Sequence, residues 1–397
     1  MSRRGQLDAV IVGGGVVGAA CALALARENL AVALVEARET AGWSPQQRDL
    51  RVYAFAPDNA RLLRELGVWQ AVRDARAQPY RRMRVWDAAG GGELRFDADA
   101  LGQPVLGWIV ENDLLVDRLW QALQAAGVRV HCPATVSASE QDADGVRVTL
   151  DHGVRLSARL LIAADGAQSA LRGMLGIEVD ALDYAQSGVV GYVRTELPHE
   201  DTAWQRFLPG GPLAFLPFAS PAQDARTCSI VWTLPREEAT RVQALDDAAF
   251  ASELTRAFDA RLGAVQADSP RAAFPLRRQL AREYLRGRAL LLGDAAHAVH
   301  PLAGQGVNLG LRDVAALRDS VRQAGARRMA FDDPQRLARW ARLRKSGNAV
   351  AAHTFTGINR MFSNDAVLPT LLRGHLLGAV TKAPPLLSLF WKRAAGL

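Results

Sequence analysis

Cysteine is scarce in this chain. Cys21, Cys132 and Cys228 are the three in 397 residues. They lie far apart, are odd in number and lack CxxC spacing, which excludes a disulfide framework or a zinc site and suits a reducing compartment. Long apolar runs are also missing. No stretch reaches about 18 uninterrupted apolar residues, so no transmembrane helix is expected. The basic start, Met1-Ser2-Arg3-Arg4-Gly5, leads into an apolar run at Ala9 to Val12 that is too short for a signal-peptide core. A cytoplasmic protein is expected. Metal-ligand clusters are absent too. His297 and His300 form the only close histidine pair in a motif, and a turn or core role suits them better than a metal. Neither an internal repeat nor a low-complexity segment occurs.

Negative charge falls short of positive. Lys and Arg total 48 against 41 Asp and Glu, giving a net charge of +7 and a pI of about 9.8. The arginines are spread along the chain and no nucleic-acid motif accompanies them, so no nucleic-acid partner is expected. An acidic membrane surface is one reading of the charge. A solvated, arginine-rich surface is the other.

What is present points to a large core. With 49% hydrophobic residues the chain can form two interleaved domains or two separate ones. Leu7 to Val12 is a short apolar strand, followed by Gly13-Gly14-Gly15-Val16-Val17-Gly18, a helical segment from Ala19 to Arg27, and a second strand from Ala31 to Val35 ending at Glu36. This is the G-x-G-x-x-G dinucleotide fingerprint in its strand–turn–helix–strand context. Gly13 makes the turn, Gly15 lets the backbone approach a pyrophosphate, and Gly18 permits close helix–strand packing. Glu36 is placed for ribose hydroxyls.

Two further turns share this character. Arg159 to Ala164 is an apolar strand running into Asp165-Gly166 and a helix start, where Asp165 or Ser169 could simply be a cap and Arg172 could supply positive charge. Ala289 to Leu292 is another buried strand, followed by the glycine-rich run Gly293 to Gly310 and a helix. Gly304 and Gly306 permit close approach to a ligand, a helix opening near Gly306 would present unpaired N–H groups, and Asp294 can accept from sugar-like hydroxyls.

Between these anchors the pattern changes. Tyr80 to Leu94 reads as a hairpin leaving the first domain. Tyr184 to Pro275, with strand-like runs at Val189 to Val193, Leu213 to Leu216 and Cys228 to Leu234, reads as a mainly antiparallel sheet. Trp204, Phe207, Phe215 and Phe218 are either pocket lining or core. The expected division is 1–76, 100–180 and 276–330 for the first domain, 77–99 and 181–275 for the second, and 331–397 for a C-terminal helical region. Leu371 to Leu397 alternates apolar blocks with basic residues and could lie on a membrane or pack on the protein.

The run Gly293-Asp294-Ala295-Ala296-His297, with Pro301, Gly304-Gln305-Gly306 and Asn308, resembles the second flavin motif of the class A flavoprotein aromatic hydroxylases. His300 to Gly310, the Trp204-Gln205-Arg206-Phe207 text and Phe355 to Asp365 are most similar to the ubiquinone-biosynthesis branch of that family. The resemblance covers nearly the whole chain. It implies an α/β fold, with a Rossmann-like FAD-binding domain interleaved with a mainly antiparallel substrate domain, and C-terminal helices. It implies tightly bound FAD, with Asp294 on the ribityl chain, the backbone around Gly306 and Val307 facing the flavin pyrimidine edge, Asn308 among the cofactor-binding residues, Arg51 reaching the flavin or its phosphates, and Pro301 beside the ring. It also implies NAD(P)H as a transient reductant and O2 as co-substrate. The reaction would be hydroxylation of a polyprenylated phenol through a flavin hydroperoxide. Ala163, where many members carry Gly, is a mild departure. His300 is the one candidate for a proton-handling role. A hydroxylase of another aromatic or polyketide substrate, and a non-catalytic flavoprotein subunit of a biosynthetic complex, remain alternatives.

Overall fold

In the computed structural model, residues 6–40, 42–88, 90, 92–219, 224–299 and 305–362 are described, with backbone alone at 305 and 360–362. Two large sheets share this chain. The first has eight strands. At its centre Leu7–Val12 pairs in parallel with Arg155–Ala163 on one side and Val32–Val35 on the other. Ala289–Leu291 and Arg129–His131 extend it outward, also in parallel. Helices Val16–Arg27, Asn112–Ala125 and Gln305–Ala326 pack on its faces. Parallel strands need cover on both faces, which is why Val32–Val35 and Ala289–Leu291 are apolar at every position.

The second sheet has nine strands. Across it run His297–Ala298, Ala272–Ala281, Val179–Thr195, Thr227–Pro235, Gly211–Pro217, Thr202–Leu208, Arg82–Asp87 and Glu93–Asp97. Val265–Ala267 pairs beside them on Val179–Thr195. Every pairing is antiparallel except Thr202–Leu208 with Arg82–Asp87. Helices Arg236–Ala244 and Asp247–Ala257 cover one face, burying Val189, Leu213, Phe215, Ile230 and Trp232. The other face looks toward the first sheet. A small sheet of Val52–Phe55, Gly107–Glu111 and Gln78–Tyr80 bridges the two units.

The α/β architecture with an interleaved antiparallel sheet and a C-terminal helix follows the expectation. The strand limits differ in detail. The strand expected from Arg159 to Ala164 starts earlier and ends one residue sooner, at Arg155–Ala163, pairing antiparallel with Val146–Leu150 and parallel with Leu7–Val12. Ala272–Ala281 stays in the nine-stranded sheet past residue 275, and the chain rejoins the eight-stranded sheet at Leu285–Arg286, which pairs antiparallel with Ala289–Leu291. Helices Arg236–Ala244 and Asp247–Ala257 go beyond the sequence expectation. The stretch from Leu371 onward lies outside the described residues.

Candidate cofactor and substrate site

A cavity of about 1200 Å³ lies between the two sheets. Three turns from the parallel sheet reach its wall. The first is the glycine turn after Leu7–Val12. Gly13 has φ +105°, and a Cβ there would lie 2.3 Å from the Ala164 carbonyl oxygen. A Cβ on Gly18 would lie 1.9 Å from the Gly13 carbonyl oxygen. These two glycines are required by packing within the protein. Gly15 differs: nothing lies within 4 Å of its would-be Cβ, and it lines the cavity together with Val16 and Val17 at the start of helix Val16–Arg27. Uncapped N–H groups of that helix face a place suited to phosphate. Glu36 closes the motif from the next strand, accepting from the backbone N–H of Gly14 and, at 3.0 Å, from that of Arg38. Trp120 Nε1 donates to the Gly14 carbonyl at 2.8 Å, a brace that no motif announced.

The second turn carries Asp165 and Gly166, both on the cavity wall. Asp165 also caps the following helix by accepting from the Leu171 N–H at 3.1 Å, and Ser169 accepts from the Arg172 N–H at 2.9 Å. Arg172 does not supply charge to the cavity. Its guanidinium donates at 2.9 Å to the carbonyls of Ala167 and Ala295, so it ties the second turn to the third.

The third turn, Gly293–Ala295, places Asp294 on the wall, with Gly306 and Val307 from the start of Gln305–Ala326 beside it. Asn308 is placed otherwise. It is fully buried, accepting from Ala56 N–H at 3.0 Å and Asn59 Nδ2 at 2.8 Å and donating to the Ala54 carbonyl at 2.8 Å. Its amide is occupied in joining this helix to the bridging sheet, so it supports the site from behind and is absent from the cavity wall. His300, Pro301 and Gly304 lie outside the described residues.

His297 is a core residue, one of the two roles expected for it. It is buried, with Nε2 2.5 Å from Asp313 Oδ2. Asp313 also accepts from Gly293 N–H at 3.1 Å, Arg344 Nε at 2.7 Å and Asn348 Nδ2 at 3.0 Å. One buried carboxylate therefore anchors the Gly293 turn to two helices. Among the described residues no group of three or more His, Cys, Asp or Glu is placed to hold a metal. Cys21 is buried in helix Val16–Arg27, and burial, with Asp313 nearby, pushes its thiol up to about 12. It is a packing residue.

Arg51 reaches the wall from the loop before Val52–Phe55, its guanidinium over the Tyr53 ring at 5.6 Å. Tyr53 donates to Asn112 Oδ1 at 3.0 Å, and burial pushes its phenol up to about 12. The loop itself is held by Glu111, which is fully buried. It accepts from Arg76 Nε and Nη2 at 2.8 and 2.9 Å, Trp43 Nε1 at 3.2 Å and Asp49 N–H at 2.9 Å. From the other unit, Tyr192 donates its hydroxyl to the Asp49 carbonyl at 2.6 Å.

The remaining wall is the open face of the nine-stranded sheet. Met83, Ala203, Ala214, Val231, Val190 and Ala272 line it, with Phe274 and Leu276 at one edge. Trp204 and Leu216 also touch the cavity, whereas Phe207 and Phe215 pack elsewhere and Phe218 packs tilted against the Tyr192 ring.

Open space at Gly15 and Gly166, a free helix start and a carboxylate at the end of the second strand fit a dinucleotide laid along these turns. Comparison with known proteins agrees. Residues 6–322 match the FAD binding domain family, and the chain belongs to it. It is 38% identical over 394 residues to the 3-demethoxyubiquinol 3-hydroxylase of Escherichia coli, covering 98% of both chains. It is 36% identical to the ubiquinone hydroxylase UbiL of Rhodospirillum rubrum, covering 98% of this chain and 89% of the other. In fold it is similar to PqsL of Pseudomonas aeruginosa, a probable FAD-dependent monooxygenase, with a TM-score of 0.77, 22% identity and coverage of 95% and 100%.

Proposed function

We propose that this member of the FAD-binding family hydroxylates the aromatic ring of a polyprenylated phenol in ubiquinone biosynthesis, using NAD(P)H and O2. One observation carries the reading: a single cavity joins the dinucleotide turns to an apolar sheet face. Bound flavin supplies the redox and oxygen-transfer chemistry. Gly15, Gly166 and the start of helix Val16–Arg27 would receive the pyrophosphate, Glu36 the ribose, and Asp294 the ribityl chain. Arg51, Gly306 and Val307 would help hold the flavin end. The sheet face orients the substrate ring and keeps water out, which favours transfer to carbon over loss of oxidising equivalents to solvent. Its central row crosses five strands, or ~19 Å at the usual strand spacing, far longer than one aromatic ring. An apolar floor of that length suits a ring with an isoprenoid tail.

Such a substrate resides in a bilayer. The net charge of +7 suits contact with an acidic membrane surface, so we place the protein at the inner face of the plasma membrane, where partners in a ubiquinone-biosynthesis complex would meet it. The test is purified protein with FAD, NADPH, O2 and a short-chain prenylphenol. Hydroxylated product formed in step with NADPH oxidation is expected. Bound FAD without turnover of any prenylphenol would overturn the proposal and favour a non-catalytic subunit.

A further inference from the structure

A sheet face can be read row by row, because partnered residues on neighbouring strands point to the same side. In the cavity floor one row runs Gln205, Ala214, Val231, Val190, Ala272, each partnered with the next. All five line the cavity. Two positions along the strand from Gln205, Ala203 partners Met83 and lines it as well. Leu50 and Val52, on the opposite wall, pack with the cluster that holds Ala203, Ala214 and Val231. Gln205 is therefore an amide among small apolar neighbours.

Its sequence neighbours behave differently. Trp204 Nε1 donates to the His199 carbonyl at 3.3 Å, and Arg206 Nη1 donates to the Ala257 carbonyl at 3.0 Å. Among the described residues the Gln205 amide has no hydrogen-bond partner, and it is open to the cavity. A glutamine offers two N–H donors and one carbonyl acceptor. Few polar groups on an apolar pocket wall set orientation and selectivity, since a ligand lacking the matching group leaves them unpaired.

We infer that the Gln205 carboxamide recognises the phenolic hydroxyl of the substrate ring, its Oε1 accepting from the ring O–H, while Ala214, Val231, Val190 and Ala272 carry the apolar tail. This rests on the prenylphenol reading above. Gln205 is assigned as a specificity-determining residue. The test is equilibrium binding of 2-geranylphenol and its methyl ether to the FAD-loaded protein, read by perturbation of flavin absorbance. In Gln205→Met, of similar size but without the amide, the phenol should bind about tenfold more weakly and the ether within about twofold of wild type. Gln205→Asn keeps an amide on a shorter stem and should lose phenol affinity alone, by less. FAD content should be unchanged in both. Equal losses for phenol and ether, or no loss for either, would overturn the assignment and leave the prenylphenol reading standing. Wild-type protein that binds neither probe would overturn both.

Discussion

A methyl group added at Gly15 and one added at Gly18 should do different things, although both glycines belong to one motif. At Gly18 the methyl meets the Gly13 carbonyl at 1.9 Å, so the helix must move off the strand. Gly18→Ala should lower the melting temperature of the cofactor-free protein by several degrees. Gly15→Ala meets no protein atom within 4 Å and should leave that melting temperature unchanged. It should instead weaken FAD binding about tenfold or more, because the methyl enters the space the pyrophosphate needs. Flavin titration and thermal melting of the two variants separate these effects. Asp313 supplies a second residue-level outcome. Burial alone would raise its carboxyl, but His297, with Arg344 and Asn348, outweighs burial and holds it at about 2. Its folded value lies below the unfolded value of about 3.9, so its stabilisation is complete above that pH and is lost as pH falls toward 2. Unfolding free energy should drop across that window, and Asp313→Asn should flatten the drop.

At the scale of elements, the Trp43 to Arg51 loop is held by a buried ion pair rather than by strands of its own. Arg76 also donates to the Pro45 and Gln47 carbonyls, so one guanidinium fastens the loop at two places while pairing with Glu111. Removing one partner of a buried pair leaves the other charge uncompensated, at a cost of about 3–5 kcal/mol. Arg76→Ala should show a loss of that order in urea unfolding. Loss confined to about 1 kcal/mol would mean that Glu111 finds water instead. The cavity floor is also a property of an element. Ala214 sits beside Gln205 in the row, so Ala214→Phe would fill the trough while leaving the dinucleotide turns alone. Affinity for a prenylated phenol should fall more than tenfold and affinity for FAD by less than about twofold, measured by titration.

Over the whole molecule, helix Pro334–Phe362 ties the two units together. Near its middle Arg344 and Asn348 hold Asp313 behind the Gly293 turn. Further along, Thr356 lies 2.7 Å from the Tyr184 hydroxyl, and Asn359 donates to Gln186 at 3.0 Å, both in the nine-stranded sheet. The helix thereby fixes the distance between cofactor turns and substrate floor. Among the described residues no helix is long and apolar enough to cross a membrane. The net charge of +7 predicts that the whole protein co-sediments with vesicles rich in acidic lipid and not with zwitterionic ones, the difference vanishing at high salt.

The dinucleotide turns are legible in the amino-acid sequence because each requirement is local. A backbone that bends at Gly13 or leaves room at Gly15 needs glycine at that very position, and the strand and helix on either side are written in consecutive residues. Asp165, Asp294, Glu36 and Arg51 can likewise be placed at the ends of elements. Side-chain direction is not legible in the same way. Asn308 and Arg172 belong to ligand-like motifs, yet their bonds are taken by Ala54, Asn59, Ala167 and Ala295, partners that only folding brings near. The floor row from Gln205 to Ala272 joins residues from five strands through register, and register is set by pairing between distant segments. Chain order thus determined where a nucleotide can be held, through backbone sterics, while long-range packing decided which side chains look into the cavity.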